Sequence, residues 1–286
     1  MKQLYVLLLI LSSAAFSTEK LIATPYGTID ADISYSTSYK NALDLYIPHQ
    51  KKFPVILFIH GGSFVAGDRK EFPYSQIGEN FQKLGIGCAV MSYRLLSDSV
   101  WPAQPRDVAK AIRWLKDNIA EYGGDSANII VVGHSAGGQL AALVCTDSIY
   151  LNEVDLKLSD ITHCVSIGSM MSDAGSLQYL SREDEKRLFH DDWFFKIFGT
   201  KENFVESMPI HHVNASMPKM LILLADGELY DPPKEKTVLE FIQKTKPYHL
   251  KVSYQVISDR SHMGTVEHMV NESDPAIQSI LKFISQ

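Results

Sequence analysis

The chain has 286 residues, 45% of them hydrophobic and 21% charged, with a net charge of −6. That is the composition of a globular protein with a sizeable core. The negative balance excludes an electrostatic draw to nucleic acid or anionic lipid, and three cysteines, an odd number, make no disulfide framework.

In chain order, the first element is a leader. Met1-Lys2 carries a charge, Leu4 to Leu11 is unbroken apolar sequence, and small residues surround Phe16 up to Ser17. These are the three parts of a secretory signal peptide, and the apolar run is far short of the roughly 20 residues a spanning helix needs. Residues 1–17 are therefore expected to be removed after Ser17 or Ala15, leaving one domain over residues 18–286 with no membrane span and a secreted or periplasmic location.

Two alternating runs between Tyr26 and Pro48 predict an antiparallel strand pair. "FPVILFIH" follows as a buried strand closed by Gly61-Gly62, Ser75 to Gly85 reads as a helix, and "IGCAVMSYR" as the next strand. Apolar residues at helical spacing (Val108, Ile112, Leu115, Ile119) predict a helix over 107–122, stopped by Gly123-Gly124. The strand "NIIVVGHS" leads into a helix from Ala136 to Cys145. "HCVSIGS", "KMLILLAD" and "HLKVSYQVI" supply three more strands, with helices over 236–244 and in "PAIQSILKFI".

Continuous apolar strands alternating with helices describe an α/β fold: a mostly parallel central sheet with helices on both faces. The stretch 172–218 breaks the alternation and is too long for a plain connection, so it is expected to form a small helical cap insertion. Within it, Glu183-Asp184-Glu185 reads as a solvated face. Trp193, Phe194, Phe195 and Phe198 supply either a pocket wall or the insertion's own core. Cys88, Cys145 and Cys164 all sit in apolar segments, where free cysteine packs as a small hydrophobe.

One pentapeptide carries chemistry. Gly133-His134-Ser135-Ala136-Gly137 fits G-x-S-x-G, the strand-to-helix turn that lifts a nucleophilic serine clear of a sheet edge. A nucleophile also needs donors for the developing oxyanion, a base, and a carboxylate to orient that base. The amide of Ala136 follows the serine, and Gly61 and Gly62 after an earlier strand offer amides that no side chain shields. Among ten histidines, His262 directly follows the last strand run, whereas His268 lies in a predicted helix and His134 is too close to Ser135 to reach it. Asp226, Glu228 and Asp231 compete for the acid. Asp226 abuts the strand and can cap it or turn with Gly227, so Asp231, just before Pro232-Pro233, is the expected partner. Arg94 and Asp107 read as a buried structural pair.

"LDLYIP", "HGGSF", "SYRL", "WPAQPRDVAKAIRWLKDNIAEYGGD", "GHSAGG" and "GELYDPP" stand in this order along the chain. As a set they resemble the hormone-sensitive-lipase-like branch of the α/β-hydrolase superfamily, within it the group of small carboxylesterases, feruloyl esterases and kynurenine formamidases. The resemblance spans about residues 44–263 and implies Ser135 as nucleophile, His262 as base, Asp231 as its partner and Gly61, Gly62 and Ala136 as oxyanion donors. It departs from the family pattern at Ser63, which replaces a third glycine, at Phe64, which stands for a tryptophan, and in the acid loop. There Gly227 and Asp231 are four apart, one residue more than usual, which keeps Asp226 in play.

The expected function is a serine carboxylesterase acting on small-molecule, short-acyl esters with no cofactor and no metal. An arylformamidase-type amide hydrolase and a non-catalytic hydrolase-like binding protein are the alternatives.

Overall fold

Strand-length runs of Val, Ile, Leu and Phe have nowhere to go but a sheet covered on both sides, and that sheet organises the molecule. The computed structural model describes residues 21–173, 193–229 and 234–286. Among these, nine strands form one sheet in the order β1-β2-β3-β5-β4-β6-β7-β8-β9. They are β1 (Leu21–Thr24), β2 (Gly27–Ser34), β3 (Ala42–Pro48), β4 (Phe53–Ile59), β5 (Gly87–Met91), β6 (Gly124–His134), β7 (His163–Ile167), β8 (Lys219–Ala225) and β9 (Val252–Ile257). The first three and the β3–β5 pair run antiparallel; every pairing from β5 to β9 is parallel.

Alternate residues of each strand face opposite cores. Val55, Leu57 and Ile59 of β4 join one apolar cluster with Val108, Ile112 and Leu115 of α2 (Ala103–Asn118) and Leu140 of α3 (Ala136–Val144). Ile56 and Phe58 join the other, with Ile77 and Phe81 of α1 (Tyr74–Lys83). A strand buried on both faces is a continuous apolar word, which is why its sequence shows no alternation. All three cysteines are buried and free.

The helix expected over 107–122 runs instead from Ala103 to Asn118. Pro105 sits in its first turn, where the missing N–H has no helical partner to lose, so the proline does not delay the start. Arg94 and Asp107 do pair, with the carboxylate buried and the guanidinium partly exposed: the guanidinium donates from Nε at 2.8 Å and from its second amino group at 2.6 Å.

Between β7 and β8 the described residues hold α5 (Trp193–Phe198), α6 (Lys201–Glu206) and a short 3₁₀ turn, Pro209–His212, after the brief α4 (Ser148–Asn152) earlier in the chain. Glu183–Glu185 and residues 1–17 lie outside the described residues. The chain closes with α7 (Lys234–Thr245), α8 (His262–His268) and α9 (Pro275–Ile284). Among the described residues no helix is long and apolar enough to cross a membrane.

Candidate active site

β6 runs straight into α3 through a single residue. Ser135 adopts φ 56°, ψ −121°, a left-handed backbone that an L-residue holds only under strain. The glycines on either side explain why the motif needs them. A Cβ on Gly133 would lie 2.1 Å from the Gly137 carbonyl oxygen, and one on Gly137 would lie 2.3 Å from that of Ile59. Both obstacles are backbone and cannot give way. The Ser135 amide donates to the Ile167 carbonyl of β7 at 2.7 Å, so the strained turn is pinned from outside.

His262 is the first residue of α8, capped by Ser261, whose Oγ accepts the Gly264 amide at 3.0 Å. Its Nε2 stands 2.9 Å from Ser135 Oγ. Its Nδ1 stands 2.6 Å from Oε1 of Glu228. The expected partner, Asp231, lies outside the described residues, and the carboxylate that meets the histidine is Glu228. The reason is local. β8 ends at Ala225 in a tight 3₁₀ turn, Asp226–Glu228, which brings the third residue back beneath the sheet end. Glu228 Oε2 accepts the Ala225 amide at 2.9 Å, fixing its side chain inward.

Asp226 does what its place beside Gly227 foretold: it accepts the amides of Gly227, Asp259 and Arg260, tying the acid loop to the base loop. Burial alone would raise the Glu228 carboxyl, but the His262 hydrogen bond and the Lys234 charge outweigh it and hold its pKa at about 2. Lys234 opens α7 and bonds to Glu228 Oε1 and, at 3.0 Å, to the Gly168 carbonyl; its ammonium lies 3.3 Å from His262 Nδ1. Gly168, at φ 62°, makes room for this group: a Cβ there would sit 2.9 Å from His262 Nδ1.

The loop after β4 needs one correction. Gly61 was expected to donate to an oxyanion, but its amide is taken: it donates to Tyr74 Oη at 3.0 Å. Gly62 (φ 117°), Ser63 (φ 53°) and Phe64 (φ 63°) then coil the backbone left-handedly, and the Gly62 carbonyl accepts the amides of Val65 and Ala66. A Cβ on Gly62 would collide with the Ala66 carbonyl oxygen at 2.0 Å.

Beside Ser135 and Ala136 opens a cavity of about 150 Å³, walled by Phe64, Ile197, Phe198, Phe204 and Met208, with Gln139 on its lining. Phe198 packs edge-on against Phe64, Trp101 and Phe204 at centroid distances of 6.0, 5.2 and 5.4 Å. Of the aromatics proposed from sequence for this wall, Phe198 lines it. Among the described residues no cluster of three His, Cys, Asp or Glu side chains is placed to hold a metal ion. Sequence reasoning missed Tyr74 and Lys234, which sit far from the elbow in sequence and belong to no local pattern.

Ser135, Glu228 and His262 follow one another in the chain, each just past the carboxyl end of a parallel strand, the order and placement that the α/β-hydrolase fold gives a serine, a carboxylate and a histidine. A family model described as BD-FAE matches residues 43–239, more than half of the chain, and the chain belongs to that family. Esterase LipC of Mycobacterium tuberculosis is 29% identical over 194 residues, 65% of this chain and 47% of that protein. LipM of the same organism, described as a probable carboxylic ester hydrolase, is 34% identical over 119 residues, 40% of this chain and 27% of its own.

The chain thus spans less than half the length of these curated relatives. A truncated carbohydrate esterase from gut microbiota superposes with a TM-score of 0.71 at 20% identity, covering 91% of this chain and 96% of that one. An esterase from Pyrobaculum calidifontis gives 0.67 at 21% identity over 93% and 84%. At these identities the structural likeness is one of fold.

Proposed function

We propose that the protein is a serine carboxylesterase for short-acyl esters, with Ser135 as nucleophile, His262 as base and Glu228 as the acid that orients the base. The observation that carries this reading is the unbroken hydrogen-bond line from Ser135 Oγ through His262 to Glu228, at 2.9 and 2.6 Å. Glu228, ionised and buried, accepts Nδ1–H, which leaves Nε2 bare to take the serine proton. The serine oxygen then attacks the ester carbonyl, and the proton on Nε2 passes to the leaving alcohol. Water activated by the same nitrogen attacks the acyl-enzyme and releases the acid.

The oxyanion donors are assigned to the amides of Gly62, Ser63 and Ala136: no protein acceptor is found for them among the described residues, and Ser63 and Ala136 line the cavity beside Ser135. Removing one such donor typically costs about 3–4 kcal/mol of barrier. The esterase names of the LipC and LipM relatives agree with this reading. The cavity supports a preference for short acyl groups: its aromatic wall leaves about 150 Å³ beside Ser135. Of the stretch 172–218 expected to form a cap, the described residues Ile197, Phe198, Phe204 and Met208 wall the cavity on the side assigned to the acyl group.

The test is the initial hydrolysis rate on p-nitrophenyl esters from acetate to laurate, with Ser135→Ala alongside. A rate that peaks at short chains and disappears in the variant is expected. Activity climbing steadily toward laurate removes the short-acyl preference, and an unchanged rate in the variant removes the mechanism. Residues 1–17 are read as an export signal. N-terminal sequencing of protein recovered outside the cytoplasm is expected to start after Ala15 or Ser17, and an intact Met1 there overturns that reading.

A further inference from the structure

We propose that His134, the variable residue of the elbow, is a positioning residue that works through Tyr74 to couple the oxyanion loop to the backbone of the catalytic base. This rests on the esterase reading above and assigns a role to two side chains that its chemistry leaves idle.

Three hydrogen bonds make the link. The Gly61 amide donates to Tyr74 Oη at 3.0 Å, Tyr74 Oη lies 3.3 Å from His134 Nδ1, and His134 Nε2 lies 3.1 Å from the carbonyl oxygen of His262. Their directions follow from one atom. A carbonyl only accepts, so His134 Nε2 carries the hydrogen; in a neutral ring Nδ1 is then bare and accepts from the Tyr74 hydroxyl. That leaves a lone pair on the tyrosine oxygen for the Gly61 amide. Every donor in the line has its acceptor.

His134 is only 1% exposed and Tyr74 only 5%. Burial, helped by the nearby His262, pulls the His134 imidazole down to about 3, so it stays neutral and keeps this pattern wherever the base works. Besides Tyr74 and His262, the charges of Glu228 and Lys234 act on it, with opposite sign.

The link matters because the sheet does not set the height of its loops. The oxyanion loop, the elbow and the base leave three different strands, β4, β6 and β9, and His134 is separated from Tyr74 by 60 positions and from His262 by 128. Catalysis needs these loops registered to a fraction of an ångström. The contact is close: a Cβ on Gly61 would come within 2.9 Å of His134 Nδ1 and 3.1 Å of Tyr74 Oη. The His134 and His262 rings also lie 4.7 Å apart at 34°.

Two measurements test the link. In histidine-labelled protein, the ¹⁵N imidazole spectrum is expected to show His134 neutral with its hydrogen on Nε2 from about pH 5 to 8. On a short p-nitrophenyl ester, Tyr74→Phe and His134→Leu are each expected to lower kcat by about tenfold or more with KM within about twofold. The double variant should be no slower than the slower single, because one line can be cut only once. An Nδ1–H tautomer, full kcat in Tyr74→Phe, or losses that multiply in the double variant overturn the proposal. If the wild type turns over no ester, it is the esterase reading that fails, and the spectrum still judges the link.

Discussion

Glu228 shows how much one side chain's reach decides. It is 5% exposed, shares its Oε1 between His262 and Lys234, and keeps its Oε2 on the Ala225 amide. Glu228→Gln keeps the shape and removes the charge that steadies the imidazolium, so kcat is expected to fall roughly 10³–10⁴-fold, as for amide replacements of triad acids. Asp231→Asn is expected to stay within about threefold, since Glu228 already fills the Nδ1 side. Steady-state kinetics on the two variants decide the matter, and the reverse ranking returns the role to Asp231. Sequence does not rank the three carboxylates at 226, 228 and 231, because it is the tight turn after β8 that carries Glu228 inward to His262 while Asp226 takes backbone amides.

At the scale of elements, the cavity beside Ser135 is a meeting of α3, the loop after β4, the loop after β7 and the two helices α5 and α6. Phe198 ends α5, is buried, and closes the pocket against Phe64 and Phe204. Phe198→Ala opens space on that wall and is expected to shift the preferred ester by two or more carbons toward longer chains. The ratio of kcat/KM for octanoate to that for acetate should rise about tenfold or more, given about 0.8 kcal/mol per buried methylene. An unchanged ratio would mean that another wall sets the limit. Sequence periodicity located most helices to within a few residues, yet α2 starts four residues earlier than its apolar spacing indicates. Its first turn, Ala103 to Arg106, is recruited by packing, and Pro105 is harmless there.

Across the whole molecule, acid works against the fold through groups that the core keeps neutral or charged at its own choosing. Burial pushes His60 down to about 4 and His134 to about 3, while both return to the ordinary histidine value of about 6.5 on unfolding. Below that value the unfolded chain binds protons that the folded chain refuses. Stability from each histidine is therefore untouched at neutral pH and declines by about 1.4 kcal/mol per pH unit as the pH falls toward the folded value. Glu228, held near 2, adds a loss of the same sign below about 4.5.

Urea unfolding is expected to give a stability roughly 4 kcal/mol lower at pH 5 than at pH 7, with about half of that slope gone in His134→Leu. A flat profile would show that these rings protonate freely in the folded protein.

What the sequence determined by itself is whatever repeats along a short stretch. The buried strands, the glycines that an elbow demands, the serine between them and the histidine after the last strand are all such features. Each is set by neighbours a few residues away, through backbone sterics and side-chain period. What only the tertiary structure decided is which groups meet: Glu228 at His262, Tyr74 on the Gly61 amide, and Lys234 beside the acid. Those meetings join loops from separate strands, and their partners are chosen by where parallel strands end in space, which no local pattern records.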